Sequence, residues 1–177
     1  MSGFGACFHA ALIAGVLAFS CLAQADNVRL YGALVAEPCV IAPGDENVRL
    51  DFGTVIDKYL YANERTQGQA FDIRLGDCDL SLGKTVKVTF SGPENPTLKG
   101  LLAIDGGSQA SGIAIGMETQ GGQPLPLNKV GEGYRLVDGN NILTVQAYVQ
   151  GEPEAIANKT IERGPFSAIA TFSLEYE

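Results

Sequence analysis

The sequence of 177 residues has no tryptophan, a single histidine (His9) and few cations, with 12 Lys and Arg against 20 Asp and Glu. Its formal net charge is −8. A protein that binds nucleic acid needs a basic surface to neutralise phosphates, and an acidic surface has no attraction for anionic lipid headgroups. The composition therefore argues against both kinds of partner, and we expect no nucleic-acid binding.

The first 25 residues contain no Lys, Arg, Asp or Glu. An apolar run over residues 10–19 leads to Ala23-Gln24-Ala25, which has the small-x-small form of a signal cleavage site. The run is too short to span a bilayer as a stable helix. We predict a signal peptide over residues 1–25 and export of a mature chain of residues 26–177; a membrane anchor is the alternative.

Cleavage at this site would remove His9, Cys7 and Cys21, so the mature chain would have no histidine and two cysteines. Without histidine, a Ser-His-Asp or Cys-His relay and His-ligated zinc are excluded. In an exported chain, Cys39 and Cys78 are expected to form one disulfide, with two free thiols as the alternative. Closing that loop of about 40 residues would stabilise the fold by roughly 4 kcal/mol.

The mature chain alternates apolar and polar residues with a period of two, and no ten-residue stretch has a clean helical period. Turn signals rich in Gly, Pro, Asp and Asn separate these stretches, and Pro153 marks a loop before the last one. Short strands about ten residues apart predict an all-β sandwich in one domain. The predicted strands cover residues 28–36, 40–41, 48–56, 70–75, 86–91, 101–104, 113–118, 142–149 and 166–176.

The first and last predicted strands have unusually regular apolar faces. One face of the first strand is entirely apolar or glycine, and consists of Val28, Leu30, Gly32, Leu34 and Ala36. In the last strand, Phe172, Leu174 and Tyr176 alternate with polar residues, and the sequence ends at Glu177. If the last core strand ends the domain, the neighbouring sheet edge has no later strand to cover it and exposes unpaired backbone groups.

The segment from Asp26 to Cys39, DNVRLYGALVAEPC, resembles the mature N-terminus of chaperone–usher pilus subunits. The second cysteine follows a strand in IRLGDC, as in that family. Gly164 is the fourteenth residue from the end and precedes the final alternating stripe, whose penultimate residue is Tyr176. The segments at 148–155 and 168–176 are most similar to minor and adaptor subunits of P and type 1 pili.

The resemblance implies an incomplete immunoglobulin-like β-sandwich, the pilin fold, that lacks its final strand. Residues 26–37 would be an N-terminal donor-strand extension and residues 38–177 the pilin domain. Pilus subunits are an established case of recognition by strand addition. The implied partners are a periplasmic chaperone, an outer-membrane usher and neighbouring pilus subunits, and the implied location is an adhesive fimbrium on the cell surface.

The resemblance also assigns roles to residues. The donor strand would place Val28, Leu30, Gly32, Leu34 and Ala36 in the groove of a neighbour. The groove and chaperone contact would involve Gly164, Phe172, Leu174, Tyr176 and Glu177. The plain alternatives are that residues 28–36 form the domain's own first strand and that the C-terminal stripe is ordinary core.

Other functions have weaker support in the sequence. Asp77, Asp79 and the pair Asp45-Glu46 are read as solvated loop charges, so we expect no metal site, no cofactor and no enzymatic activity. A secreted carbohydrate-binding sandwich that acts as a lectin is the alternative function, although the chain lacks the tryptophan that commonly stacks on sugars. The leading prediction is a structural fimbrial subunit, with a minor or adaptor position favoured over the major rod.

Overall fold

The computed structural model describes residues 31–177, of which Val35–Glu177 form one compact unit. Residues 31–37 adopt neither helix nor strand. No helix in the described part of the chain is long and apolar enough to cross a bilayer. Residues Val28 and Leu30 of the predicted donor strand lie outside the described residues.

Two antiparallel sheets form the domain. The first has five strands in the order β1-β2-β7-β5-β4, and the second has three in the order β6-β3-β8. In chain order the elements are β1 (Val40–Ile41), α1 (Asp57–Asn63), β2 (Gln69–Cys78), β3 (Thr85–Ser91), β4 (Leu102–Ala103), β5 (Ile113–Thr119), β6 (Val130–Arg135), β7 (Gly139–Gly151), α2 (Pro153–Asn158) and β8 (Thr171–Tyr176).

The core lies between the two sheets and follows the predicted alternation. Ile73 in β2 and Val145 in β7 have no exposed surface, and neither has Val86 in β3 of the other sheet. The rings of Phe71 and Phe90 meet edge to face across the two layers, with their centroids 6.2 Å apart. Each fully buried aliphatic side chain contributes about 1.5–3 kcal/mol to the stability of the fold. The burial of these side chains therefore holds the two sheets together.

Six of the predicted strands are confirmed with small changes at their ends: residues 40–41, 70–75, 86–91, 101–104, 113–118 and 142–149 correspond to β1, β2, β3, β4, β5 and β7. The period of two located these strands because alternate side chains pack on the core and each strand pairs with a neighbour. In β5 both faces are buried.

The strand predicted at 48–56 is wrong. Leu50 and Phe52 pack against the core as the alternation predicted, but the segment has no strand assignment. Gly53 turns the backbone at a φ of 62°, and its N–H donates to the Asp51 carboxylate at 2.8 Å. Such a side-chain-to-backbone turn interrupts an extended ladder. The alternation of residues 48–56 therefore predicted correctly which side chains are buried, but within residues 31–177 the segment does not pair with a neighbouring strand.

The last predicted strand is shorter than expected, because residues 166–170 have no strand assignment and β8 begins at Thr171. The preceding segment is held by a loop, since Asp105 N–H donates to the Ser167 carbonyl at 2.7 Å and Gln109 N–H to the Pro165 carbonyl at 2.9 Å. The segment is thus fixed beside residues 105–110 rather than in a sheet.

Three elements are absent from the prediction. Strand β6 contains two glycines that break its apolar alternation; a Cβ at Gly131 would lie 2.7 Å from the Val88 carbonyl oxygen, so only glycine fits there. Helices α1 and α2 have seven and six residues, too few to show a helical period. Pro153, read from the sequence as a loop residue, is the first residue of α2, a position that tolerates proline.

Candidate functional site

Strand β8 lies at an edge of the three-stranded sheet, and within residues 31–177 it pairs only with β3. Thr85 and Glu177 exchange both backbone hydrogen bonds, each at 2.9 Å. In an antiparallel ladder such pairs alternate with pairs whose backbone groups point away from the partner. Because the register runs without a shift from Val86↔Tyr176 to Ser91↔Thr171, the N–H and C=O groups of Phe172, Leu174 and Tyr176 point to the open edge.

The side chains of the same three residues are only half-buried, whereas Thr171, Ser173 and Glu175 between them are exposed. Their partners on β3 are fully covered: Val86 is 0%, Val88 2% and Phe90 5% exposed. The core is therefore closed over β3 and open over β8. Within residues 31–177, the outer edge of β8 therefore has both backbone groups without a partner and apolar side chains that are not fully covered.

The irregular segment 48–56 also contributes apolar side chains that are only partly covered, and one of them lies beside the segment that precedes β8. Leu50, Phe52 and Val55 pack against the core, and the Phe52 ring lies 6.2 Å from that of Phe166. Phe166, Ala168 and Ala170 extend the partly buried stripe upstream of β8. We call the partly buried residues of segments 48–56 and 166–176 the open core edge.

Gly164 begins the C-terminal segment in close contact with the loop before β5. A Cβ at this position would lie 2.5 Å from the Gln109 Cβ and 3.2 Å from the Ala110 nitrogen. Glycine thus lets residues 164–166 approach residues 109–110 directly. In the structure Gly164 is a packing residue at one end of the open core edge.

The other end of β8 is fixed by Glu177. Its main-chain oxygen accepts hydrogen bonds from the N–H groups of Lys84 (2.7 Å) and Thr85 (2.9 Å), and its side chain forms an ion pair with Lys87. The hydrogen bond between the Lys87 ammonium and the Glu177 side chain raises the pKa of Lys87. Burial, with a smaller effect from Glu37, raises the pKa of Tyr176. The end of β8 is therefore anchored on β3 while its outer side stays open.

Cys39 and Cys78 form the predicted disulfide, with their Cα atoms 4.1 Å apart. Both residues are buried, and the bond joins the residue before β1 to the end of β2. Pro38 is buried beside them: its carbonyl accepts from Asp79 N–H at 2.8 Å, and a Cβ at Gly83 would come within 2.8 Å of its ring. The chain is thus fixed to the domain from Pro38 onward.

The described part of the predicted extension has no regular structure. Gly32, Leu34 and Ala36 lie in the stretch 31–37, which contains no strand, and Val35 is 74% exposed. The alternation of this stretch is therefore not explained by pairing within the described chain. No group of three or more His, Cys, Asp or Glu side chains in residues 31–177 is arranged to hold a metal ion.

The sequence could have indicated the open core edge only in part. Phe172, Leu174 and Tyr176 were identified from their alternation and lie together on β8. The alternation of residues 48–56 also predicts that Leu50 and Phe52 are buried, but it predicts them in a strand. Asp51 and Gly53 are turn-forming residues, and this local signal indicates that the segment does not continue a sheet.

Comparison with known proteins places the chain in one group. The family profile described as "Fimbrial protein" matches residues 28–177. The Fimbria A protein of Serratia marcescens is 35% identical over 173 residues, covering 94% of this chain and 97% of that protein. The fimbrial adapter PapK of Escherichia coli is 32% identical over 160 residues, covering 87% and 89%.

The fold is also that of solved fimbrial subunits. The crystal structure of the P pilus rod subunit PapA matches with a TM-score of 0.68 at 28% identity, over 80% of this chain and all of that chain. A structure of a chaperone–usher pilus matches equally well, with a TM-score of 0.68 at 28% identity, over 88% of this chain and 97% of its own. The all-β pilin fold expected from the resemblance is confirmed.

Proposed function

The chain belongs to the fimbrial protein family, whose members are structural subunits of chaperone–usher pili, and we propose that it polymerises by donor-strand exchange. In this process the N-terminal extension of one subunit completes the sandwich of the next. The role is structural and involves no catalysis.

The open core edge is the observation that carries the proposal. Phe172, Leu174 and Tyr176 present half-buried side chains to one side of β8, together with backbone groups that have no partner within residues 31–177. A strand added there would pair with the backbone and cover the apolar side chains together. A long exposed edge is otherwise an aggregation hazard, so a protein that keeps one needs a specific strand to cover it.

The donor residues are Val28, Leu30, Gly32, Leu34 and Ala36. Each aliphatic side chain among them would contribute about 1.5–3 kcal/mol when fully buried in a neighbour's groove. Each backbone hydrogen bond to β8 would add roughly 1 kcal/mol net. Gly32 would lie where the groove leaves no room for a side chain.

We expect the donor to run antiparallel to β8. All pairings between named strands of the described chain are antiparallel, and such ladders are slightly more stable per residue than parallel ones. In this orientation Ala36 of the donor would lie toward Gly164 and Phe166, and Val28 toward Tyr176. The donor's own domain would then follow at the Gly164 end.

Before exchange, a periplasmic chaperone would cover the same edge. Gly164, Phe172, Leu174, Tyr176 and Glu177 are its proposed contacts. Phe172, Leu174 and Tyr176 carry the outward backbone groups, and Gly164 and Glu177 lie beyond the two ends of that stretch. The subunit would reach the chaperone by export under the signal peptide and pass through an outer-membrane usher to the cell surface.

A minor or adaptor position in the fibre is the final part of the proposal. It is supported by the resemblance of residues 148–155 and 168–176 to such subunits, by the fimbrial adapter PapK, and by the putative minor fimbrial subunit PmfF of Proteus mirabilis, which is 33% identical over 153 residues. The major MR/P fimbria protein of that organism is 34% identical over 152 residues, so overall identity does not separate the positions. Mass spectrometry of cross-linked neighbours in purified fibres tests this assignment.

A truncated chain that starts at Pro38 tests the donor assignment, because Pro38 and Cys39 are already fixed to the domain. We expect it to fold with the chaperone and to accept a neighbour's strand, but to donate none. Copurification with the chaperone and incorporation into fibres are the measurements. Entry of the truncated chain into fibres as a donor, or its failure to fold in the presence of the chaperone, would falsify the assignment.

A further inference from the structure

This inference rests on the proposed strand exchange and concerns the surfaces that two consecutive domains bring together. Pro38 and Cys39 are buried in the domain, whereas Glu37 is exposed. If Ala36 is the last donor residue in the groove, Glu37 is the only free residue between the bound strand and the next domain. At about 3.4 Å per residue, such a link forces the two domains into contact.

The acceptor's contact region lies at the Gly164 end of the open core edge, where an antiparallel donor would leave the groove. A cleft of ≈ 1000 Å³ opens there, and its walls include Lys58 and Tyr61 of α1, Gln109, and Lys159 after α2. Arg163 and Asp57 also line it and are joined by hydrogen bonds of 2.9 and 2.7 Å. The cleft is therefore adjacent to the point at which the neighbour's domain would begin.

The charge of this cleft is opposite to that of the protein as a whole. Three cations and two carboxylates (Asp57 and Glu162) line it, which gives +1 in a chain of net charge −8. Arg163 is satisfied by Asp57, and the Glu162 carboxylate accepts from the Ser111 hydroxyl at 2.9 Å. Within residues 31–177, Lys58 and Lys159 have no ion-pair partner.

At the other end of β8, the extension leaves the domain beside three carboxylates and beside Lys84, which follows the Gly83 that contacts Pro38, so negative charge is in excess there. Glu37 precedes the buried Pro38, and Asp77 and Asp79 flank Cys78, which is bonded to Cys39. All three carboxylates are on exposed residues, and Asp79 N–H donates to the Pro38 carbonyl, so they lie near the base of the extension. We call Glu37, Asp77 and Asp79 the acidic root.

We propose that the cleft holding Lys58 and Lys159 receives the acidic root of the next copy of this chain. The occupant is a second copy, because the one-residue link delivers that surface to the cleft whenever a copy's donor strand is seated; this rests on a minor subunit that stands next to copies of itself, not on an adaptor between two different subunits. Complementary charges at the rim of an interface mainly increase the association rate and its salt dependence. The contact would therefore speed and orient assembly, while the donor strand supplies the affinity.

A charge exchange within the full-length chain tests the proposal. One variant combines Lys58→Glu with Lys159→Asn, a change of −3 in the cleft. The other combines Glu37→Lys with Asp77→Asn, a change of +3 in the acidic root; Asn tolerates the φ of 51° at position 77. A control of equal charge change, Lys129→Glu with Lys99→Asn, alters lysines that do not line the cleft.

The assembly rate of chaperone-bound subunits into polymer is measured at low and high salt. We expect each variant to assemble roughly 3- to 10-fold more slowly than wild type at low salt, and the difference to vanish above about 0.5 M salt. The chain carrying both sets of changes should recover most of the wild-type rate, and the control should keep it. Equal rates for the cleft variant and the control, or no recovery in the combined chain, overturn the proposal.

A synthetic peptide of residues 26–36, which carries no domain, separates this result from failure of strand exchange itself. It should enter the groove of wild type and of the cleft variant at the same rate. If it enters neither, the proposed strand exchange is wrong. If it enters both while wild-type copies do not join one another, the assignment of a second copy as the occupant is wrong.

Discussion

Val88 and Leu174 face each other across the pairing of β3 with β8, yet Val88 is 2% exposed while Leu174 is only half-buried. Directly opposed residues of an antiparallel pair share one face of the sheet, so both point into the same core. The difference in coverage arises because β3 has strands on both sides and β8 has one neighbour within residues 31–177. Leu174 therefore marks the place where a further strand would complete the domain.

Replacing Tyr176 by Asp should reduce both the periplasmic yield of the subunit and its copurification with the chaperone. A strand that covers the open core edge would bury this side chain, and a carboxylate buried without a partner is strongly unfavourable. Ser173→Asp is the matched control, since Ser173 is exposed on the other face of β8. Equal yields for the two variants would show that the edge is not covered in the chaperone complex.

If residues 28–36 bind a neighbour's groove as a strand, only every second side chain should enter that groove. In a full-length chain, Leu34→Asp should abolish incorporation on the donor side, whereas Val35→Asp should leave it nearly unchanged, because neighbouring residues of a strand point to opposite faces. Folding with the chaperone should be the same for both. The measurement is the ratio of polymer to chaperone-bound subunit; equal losses for the two variants would contradict the proposed register.

The sequence predicted the two-sheet core well, because each core strand both alternates and pairs. Ile73, Val86 and Val145 lie where the period of two placed them. The prediction from sequence failed where a segment buries alternate side chains but its backbone does not pair with another strand. Phe52 points into the core but sits in a segment turned by Asp51 and Gly53, so alternation alone could not show that this wall lacks a ladder.

Only part of the candidate site was predictable from the sequence. The β8 residues carried a clear stripe, and the disulfide followed from two cysteines in an exported chain. The cleft near Lys58 and Lys159 had no sequence signal, because it forms where two short helices and the loop at Gln109 meet. Such a convergence depends on tertiary packing rather than on any local period.

Lowering the pH should selectively weaken the link between α1 and residue 163. Hydrogen bonds from Arg163 are the main cause that lowers the pKa of Asp57 below its ordinary value of 3.8. A carboxyl whose pKa is lower in the folded than in the unfolded chain stabilises the fold above the unfolded pKa, and this contribution is lost as the pH falls through the folded pKa. The Asp57→Asn substitution should therefore matter near neutral pH and cease to matter well below pH 3.8.

The measurement is the urea midpoint of subunits whose groove is filled by the donor peptide, compared between wild type and Asp57→Asn across that pH range. Asp138→Asn is the control, since Asp138 is exposed and forms no ion pair within residues 31–177. The difference in urea midpoint between wild type and Asp57→Asn should narrow as the pH falls, and it should narrow more than the difference between wild type and the control. If the difference for Asp57→Asn did not depend on pH, the effect of Asp57 on stability would not come from its charge.

Arg65 should be needed to hold the connector between α1 and β2 on the five-stranded sheet. Its guanidinium donates to both Glu118 carboxylate oxygens, at 2.8 and 3.2 Å, and lies 4.1 Å above the Tyr148 ring. Gly116 makes room for that ring, because a Cβ there would come within 2.2 Å of it. Glu118 is 4% exposed, so this buried carboxylate depends on Arg65 for its partner.

Arg65→Met should therefore lower the free energy of unfolding by about 2–3 kcal/mol, less than for a fully buried pair because the Arg65 side chain is 42% exposed. Arg65→Lys should give an intermediate loss, since lysine keeps the charge but not the two-pronged geometry. Adding Glu118→Gln to Arg65→Met should recover part of the loss by removing the stranded charge. Urea unfolding of the peptide-filled subunit measures all three, and a double variant less stable than Arg65→Met would show that Glu118 is held by contacts other than Arg65.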